Sequence, residues 1–215
     1  GAVGVGASAA MSKGMRTAVL GMGGGLLFLV ATAAWILVKL PVSFAAILRK
    51  GLALEAGPTL WMGIPILTLV GITFIRVGSG ISHNLLGTKL PPVLAFIVLT
   101  LLVSGQVLMG AIGWAVMRKQ GYFAQFVWGE RGSVPSYGLV CPGVAAAVLG
   151  MFFIHWGLVK TDVIALWSVP HIALLLVVAA LQASTIQVLR RLDRKLFART
   201  EPVRDPAPEP ALETV

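Results

Sequence analysis

The stretch LPPVLAFIVLTLLVSGQVLMGAIGWAVM, residues 90–117, contains no charged side chain over 28 positions. A helix crosses the hydrocarbon core of a bilayer, about 30 Å thick, with roughly 20 residues. Backbone amides and carbonyls cannot remain unpaired in lipid, so an apolar run of this length must be helical. We therefore interpret residues 91–117 as a transmembrane helix, and similar runs on either side of it extend the fold.

Four further uncharged runs predict spans near residues 17–38, 57–75, 136–159 and 163–187. The composition agrees, because 57% of the residues are hydrophobic and only 12% are charged, whereas soluble domains average about 25% charged residues. The alternating strands of a membrane β-barrel are not visible in the pattern. The sequence therefore predicts an all-α polytopic membrane helix bundle of about five transmembrane helices within residues 1–198.

Lysine and arginine are distributed unequally between the two sides of the predicted membrane, which predicts the orientation. Twelve lie on the side of the C-terminus and five on the other side. The five are Lys13, Arg16, Arg76, Lys89 and Lys160. Because positive residues collect in the cytoplasm, we expect a cytoplasmic C-terminus and an outer N-terminus in a bacterial inner membrane. The net charge of +9 then reflects topology and needs no nucleic acid partner.

The two ends of the chain differ in composition. Residues 199–215 are rich in proline and acidic residues and predict a disordered cytoplasmic tail. Before them VLRRLDRKLF, residues 188–197, predicts a cytoplasmic extension of the last helix at the lipid interface. The chain begins with the small, uncharged run GAVGVGASAAM, which we interpret as the end of an earlier helix and therefore as a piece of a longer protein.

Three histidines are candidate ligands on the outer side of the predicted bundle. His155 and His171 fall roughly 7 and 13 Å along two adjacent helices from their outer ends. Two such imidazoles can hold a haem b, and with His83 they can hold a metal ion. The alternative is that they form hydrogen bonds within the protein. We expect neither a metal nor a cofactor, and keep a haem-binding respiratory subunit as an alternative function.

Carboxylate and thiol side chains are scarce in the predicted spans. Asp and Glu are confined to the predicted loops and the C-terminal region, whereas cation-coupled carriers usually keep a carboxylate at mid-membrane. The lone Cys141 lies in a span, where an apolar environment disfavours the nucleophilic thiolate. We expect that the protein is not an enzyme and that any transported solute is neutral or anionic.

Two prolines are candidates for shaping a conduit. Pro65 lies in the middle of the second predicted span and Pro142 in the fourth. A proline removes a backbone hydrogen bond, and broken helices are tolerated where the backbone lines a wet cavity; the alternative is a simple kink. At helical spacing the candidate pore-lining residues are Pro65, Thr68 and Ile72 on one helix, and Cys141, Pro142, Ala145 and Leu149 on the other.

The stretches PTLWMGIPILTLVGITFIR (58–76) and SYGLVCPGVAAAVLGMFF (136–153) resemble the C-terminal half of the tellurite-resistance/dicarboxylate transporter family. That family includes the plant slow anion channels and the yeast malate and sulfite exporters. The resemblance implies ten helices in five hairpins around a central pore, of which this chain supplies helices six to ten, and a homotrimer.

The resemblance also implies an aromatic gate beside the proline of helix nine. The residue before Pro142 is Cys141, and the nearest ring is that of Tyr137, with Phe152 and Phe153 farther along. The leading hypothesis is therefore a channel or exporter for small anions, for example chloride, nitrate, sulfite, tellurite or a dicarboxylate. The alternatives are the haem-binding subunit and a structural membrane subunit.

Overall fold

The computed structural model describes residues 14–50, 54–129 and 133–197, and these residues form helices and turns with no strand among them. The α-helices are α1 (Met15–Lys50), α2 (Gly63–Asn84), α3 (Pro92–Lys119), α4 (Val140–Phe152) and α5 (Val169–Phe197). Short 3₁₀ helices, Leu54–Trp61 and Val134–Leu139, lead into α2 and α4. The π-helical turns Phe123–Trp128 and Phe153–Val159 follow α3 and α4.

Five helical segments are long and apolar enough to cross a membrane: Met15–Lys39, Leu54–Asn84, Pro92–Lys119, Val134–Val159 and Val169–Phe197. The predicted all-α polytopic membrane helix bundle is thus confirmed. Two helix boundaries differ from the prediction. The second span was predicted to end at residue 75, but α2 continues past Arg76 to Asn84. The fifth was predicted to begin at residue 163, but α5 begins only at Val169. The predicted tail 199–215 and the first 13 residues lie outside the described residues.

The two prolines lie at the start of α-helices and do not interrupt them. Pro65 is the third residue of α2, and Pro142 is the third residue of α4. Amide groups in the first turn of a helix have no intrahelical acceptor, so a proline there removes no hydrogen bond. The irregularity predicted in each span is therefore present as a change from 3₁₀ to α-helix just before each proline.

The second and third segments form a hairpin that the fourth and fifth repeat. α3 begins at Pro92 and α5 at Val169, an offset of 77 positions. The same offset aligns Pro58 with Pro135 and Pro65 with Pro142. The two copies meet at equivalent positions, since the Thr68 hydroxyl donates to the carbonyl of Ala145, 77 residues later, at 2.9 Å. The described chain is therefore one helix, α1, followed by two related hairpins.

Helix α2 lies at the centre of the bundle and packs against α1, α3 and α4. Ile75 of α2, Leu99 of α3 and Leu149 of α4 are fully buried together in one apolar cluster. Gly71 permits this approach, because a Cβ there would lie 2.6 Å from Leu149 Cδ1. Large apolar side chains on the outside remain exposed, for example Val169 at 83%, which suits contact with lipid acyl chains.

The end of α5 is anchored to the π-helical turn that follows α3. Lys195 Nζ donates to the carbonyls of Phe126 and Val127 at 2.9 and 2.8 Å, and the Arg191 guanidinium lies 3.9 Å from the Trp128 ring centroid. A lysine that satisfies two carbonyls at the end of a helical turn stabilises that turn. The predicted helical extension over residues 188–197 is thus present, and it packs on protein through these contacts.

Candidate functional site

A cavity of about 540 Å³ opens where α2 ends. Its walls come from three segments: the last turns of α2, the turn into α3 together with the start of α3, and the end of the fourth span. Residues that line it include Ser79, His83, Lys89, Ala95, Trp156 and Lys160. We call this cavity the basic pocket. The hairpin geometry forms it, because the turn between α2 and α3 lies beside the π-helical turn that ends the fourth span.

The described residues that line the basic pocket include two lysines and one histidine, and none is acidic. Lys160 Nζ lies 3.4 Å from the Trp156 ring centroid, a cation–π contact that orients the ammonium. Burial lowers the pKa of Lys160, and repulsion from the Lys89 charge lowers the same pKa further. Two ammonium groups that repel one another across a cavity create a positive potential that favours an anion between them.

Arg76 lies deeper along the face of α2 that reaches the basic pocket. Positions 76, 79 and 83 share one helix face at this spacing, and Ser79 and His83 line the pocket. Arg76 precedes the end of α2 by eight residues, or roughly 12 Å. Its guanidinium carbon lies 5.8 Å from the Phe152 ring centroid. The uncharged run 57–75 predicts that the second span ends before Arg76, whereas the length of α2 places Arg76 inside the span.

The predicted pore-lining residues Thr68 and Ala145 are brought into contact through the hydrogen bond between α2 and α4. Gln106 of α3 joins them, because its Nε2 donates to Thr68 Oγ1 at 2.7 Å and to the Ile64 carbonyl at 2.9 Å. We call Thr68, Gln106 and Ala145 the polar centre. Gln106 and Thr68 are both buried. Sequence reasoning missed Gln106, although a lone amide within a long apolar run is a recognisable signal.

The other predicted pore-lining residues differ in exposure. Pro142 and Leu149 are fully buried, whereas Cys141 is exposed on the surface of the described chain. Pro65, Ile72 and Ala145 are half-buried. Thr68 and Leu149 connect α2 with α4, through the bond to Ala145 and the contact with Gly71, and the role of the set in lining a pore stays a prediction.

The three histidines occupy three different environments. His171 is buried, and its Nδ1 accepts a hydrogen bond at 3.3 Å from the Trp167 amide in the turn before α5. His155 is exposed and stacks edge-on with Trp156, while His83 lines the basic pocket. Within the described ranges, no group of three or more His, Cys, Asp or Glu side chains is placed to hold a metal ion.

These observations define a helical membrane protein with a basic pocket at one end of its bundle. Compared with protein-family models, curated proteins and solved structures, the chain has no match in any of the three.

Proposed function

We propose that the protein is a membrane channel or exporter for small anions. One observation carries the proposal: Arg76, inside the span, shares a helix face with the basic pocket. An ionisable residue within a membrane span is costly and usually marks a functional pathway. The resemblance of residues 58–76 and 136–153 to an anion-transporting family supports the same conclusion.

The charge distribution favours anions over cations. Asp and Glu are absent from residues 56–129 and 133–161, which include the second, third and fourth spans apart from the first two residues of the second. Lys89 and Lys160 attract an anion to the pocket mouth by their summed potential, and Arg76 adds a positive charge farther along the same helix face. No step in this route needs a bond to be made or broken, so the proposal includes no enzymatic reaction.

We place the protein in a bacterial inner membrane with a cytoplasmic C-terminus, so that the basic pocket faces outward. The polar centre around Thr68 and the exposed Cys141 belong to helices that line the pore together with further helices or further copies of the chain. Three copies, as in the family that the sequence resembles, are the assembly that we propose.

The test is anion flux into proteoliposomes that contain the purified full chain. We expect voltage-dependent uptake of nitrate, chloride or sulfite, and an Arg76→Gln variant with flux reduced tenfold or more at matched protein levels. Arg194→Gln is the control, because Arg194 is exposed at the end of α5 and should leave flux within twofold of the unmodified protein.

Two results would contradict the proposal. The first is no anion flux at any voltage from folded protein, and the second is equal flux for the Arg76→Gln and unmodified proteins. An absorption spectrum of the same preparation is a further check, because a Soret band would favour the bis-histidine haem alternative with His155 and His171.

A further inference from the structure

We infer that the basic pocket is a binding site for an anionic amphiphile, with its charged group between Lys89 and Lys160 and its apolar part against Trp156 and Ala95. The inference goes beyond the transport proposal, because the site holds such a molecule whether it is a solute in transit or a lipid of the surrounding membrane. It depends on the size, the lining and the position of the pocket.

The size of the basic pocket indicates a ligand larger than a simple inorganic ion. Its volume of about 540 Å³ lies within the range of roughly 300–1,000 Å³ that is typical of small-molecule sites. A water molecule occupies about 30 Å³, and chloride or nitrate is of comparable size. An organic anion with an apolar body fills this volume, whereas a single hydrated ion leaves most of it to water.

The lining has two kinds of wall, which match the two parts of an amphiphile. Lys89 and Lys160 provide the charged side, while Leu90, Ala95 and Trp156 provide an apolar side. Ammonium groups bind carboxylate or phosphate oxygens through charge-assisted hydrogen bonds. The Trp156 ring already orients Lys160 through the cation–π contact, so less side-chain entropy is lost when the anion binds.

The basic pocket lies at the depth in the membrane where lipid head groups are found. The second span ends at Asn84 and the third begins at Pro92, so the cavity between them lies where the hydrocarbon core gives way to water. The shared chemistry is an anionic head with an apolar tail, and it has two sources: a phospholipid with an anionic head group, or a free organic acid.

The test measures binding of three probes to the purified full chain in detergent, each below its critical micelle concentration. The probes are decanoate, dihexanoyl phosphatidylglycerol and the zwitterionic dihexanoyl phosphatidylcholine. We expect at least one anionic probe to bind tenfold or more tightly than phosphatidylcholine. Preference for decanoate identifies a free acid as the source, and preference for phosphatidylglycerol identifies a lipid.

The variant pair Lys89→Gln with Lys160→Gln should weaken binding of the preferred anionic probe tenfold or more. The matched control is Arg118→Gln with Lys119→Gln, which removes the same charge at the other end of the bundle and should change binding less than twofold. Equal losses in both pairs would overturn the inference, as would unchanged binding in the first pair. Size-exclusion chromatography shows whether each variant is folded. Lys160→Arg keeps the positive charge and should bind normally, so it shows that a loss of binding comes from the lost charge and not from lost folding.

The two proposals fail in different ways. Binding that depends on Lys89 and Lys160, in a protein without anion flux, would overturn the transport proposal and support this site. The opposite result is anion flux that depends on Arg76 together with probe binding that is unchanged when Lys89 and Lys160 are replaced. That result would overturn the binding site and support the transport proposal.

Discussion

Lys160 contributes to both the packing and the electrostatics of the basic pocket. Its ammonium rests on Trp156 at 3.4 Å, and the ionisable side chains that line the same cavity are Lys89 and His83. Partial burial lowers the pKa of Lys160, and the charge of Lys89 lowers it further. Lys160 therefore loses its proton at a lower pH than an ordinary surface lysine.

This shift predicts how binding depends on pH. The charged form of Lys160 binds the anion, so affinity should be highest below the lowered pKa and should fall as the pH rises through it. In Lys160→Arg the guanidinium keeps its charge over the same pH range, so the affinity of this variant should not show that fall. The measurement is the dissociation constant of the preferred anionic probe from pH 7 to 10 for both proteins. Superimposable profiles would show that Lys160 does not bind the anion.

At the scale of helices, the second hairpin depends on a close approach between α4 and α5. A Cβ at Gly143 would collide with the Thr185 side chain, and Thr185 is buried with its hydroxyl bonded to the Leu181 carbonyl at 2.9 Å. Small residues at such crossings let two helix backbones pack closely in a membrane. The contact fixes how α5 lies against α4, and thereby how the second hairpin closes.

We expect Gly143→Ala to reduce the free energy of unfolding by about 1–3 kcal/mol, as is usual for overpacking. Thr185→Ala should relieve part of the collision, so the double variant should lose less than the sum of the single changes. Unfolding in mixed dodecylmaltoside and SDS micelles measures all three. Gly150→Ala is the control, because its Cβ would meet a Val178 methyl at 3.2 Å, and it should cost less. If the losses of unfolding free energy from Gly143→Ala and Thr185→Ala simply add in the double variant, residues 143 and 185 are not in contact.

At the scale of the whole molecule, alternating helices carry the chain from one membrane face to the other. The turn after α2 and the turn after the fourth span both contribute to the basic pocket, so these two turns share a face. The turn after α3 and the end of α5 share the opposite face, where Lys195 joins them. The excess of positive residues on that second face predicts that it is cytoplasmic.

Labelling with an impermeant maleimide checks this orientation. In a Cys141→Ala background, Val163→Cys lies on an exposed turn of the pocket face and should be labelled in intact cells. Lys119→Cys, at the end of α3, should be labelled only after the membrane is opened. The reverse pattern would invert the topology and place the basic pocket in the cytoplasm.

Much of the fold could be predicted from the sequence, and less of the site. The helical spans were recognised because an uncharged run longer than the bilayer is thick leaves the backbone no other structure. The end of the second span was predicted at residue 75, before Arg76, whereas α2 continues to Asn84. A charged residue ends an apolar run in the sequence, but it ends a span only where no neighbouring helix supports the charge, and Phe152 of α4 lies beside Arg76.

The sequence by itself determined that this protein is a bundle of apolar helices, because hydrophobicity and length are properties of each segment alone. Only the tertiary structure decided that Ser79, Lys89 and Lys160 line one cavity, and that Thr68, Gln106 and Ala145 form one polar centre. These residues are far apart in the chain, and each run of sequence is compatible with many packings. Contacts such as Gly71 against Leu149 select one packing, since side chains must interlock at close range where lipid provides no hydrophobic driving force between helices.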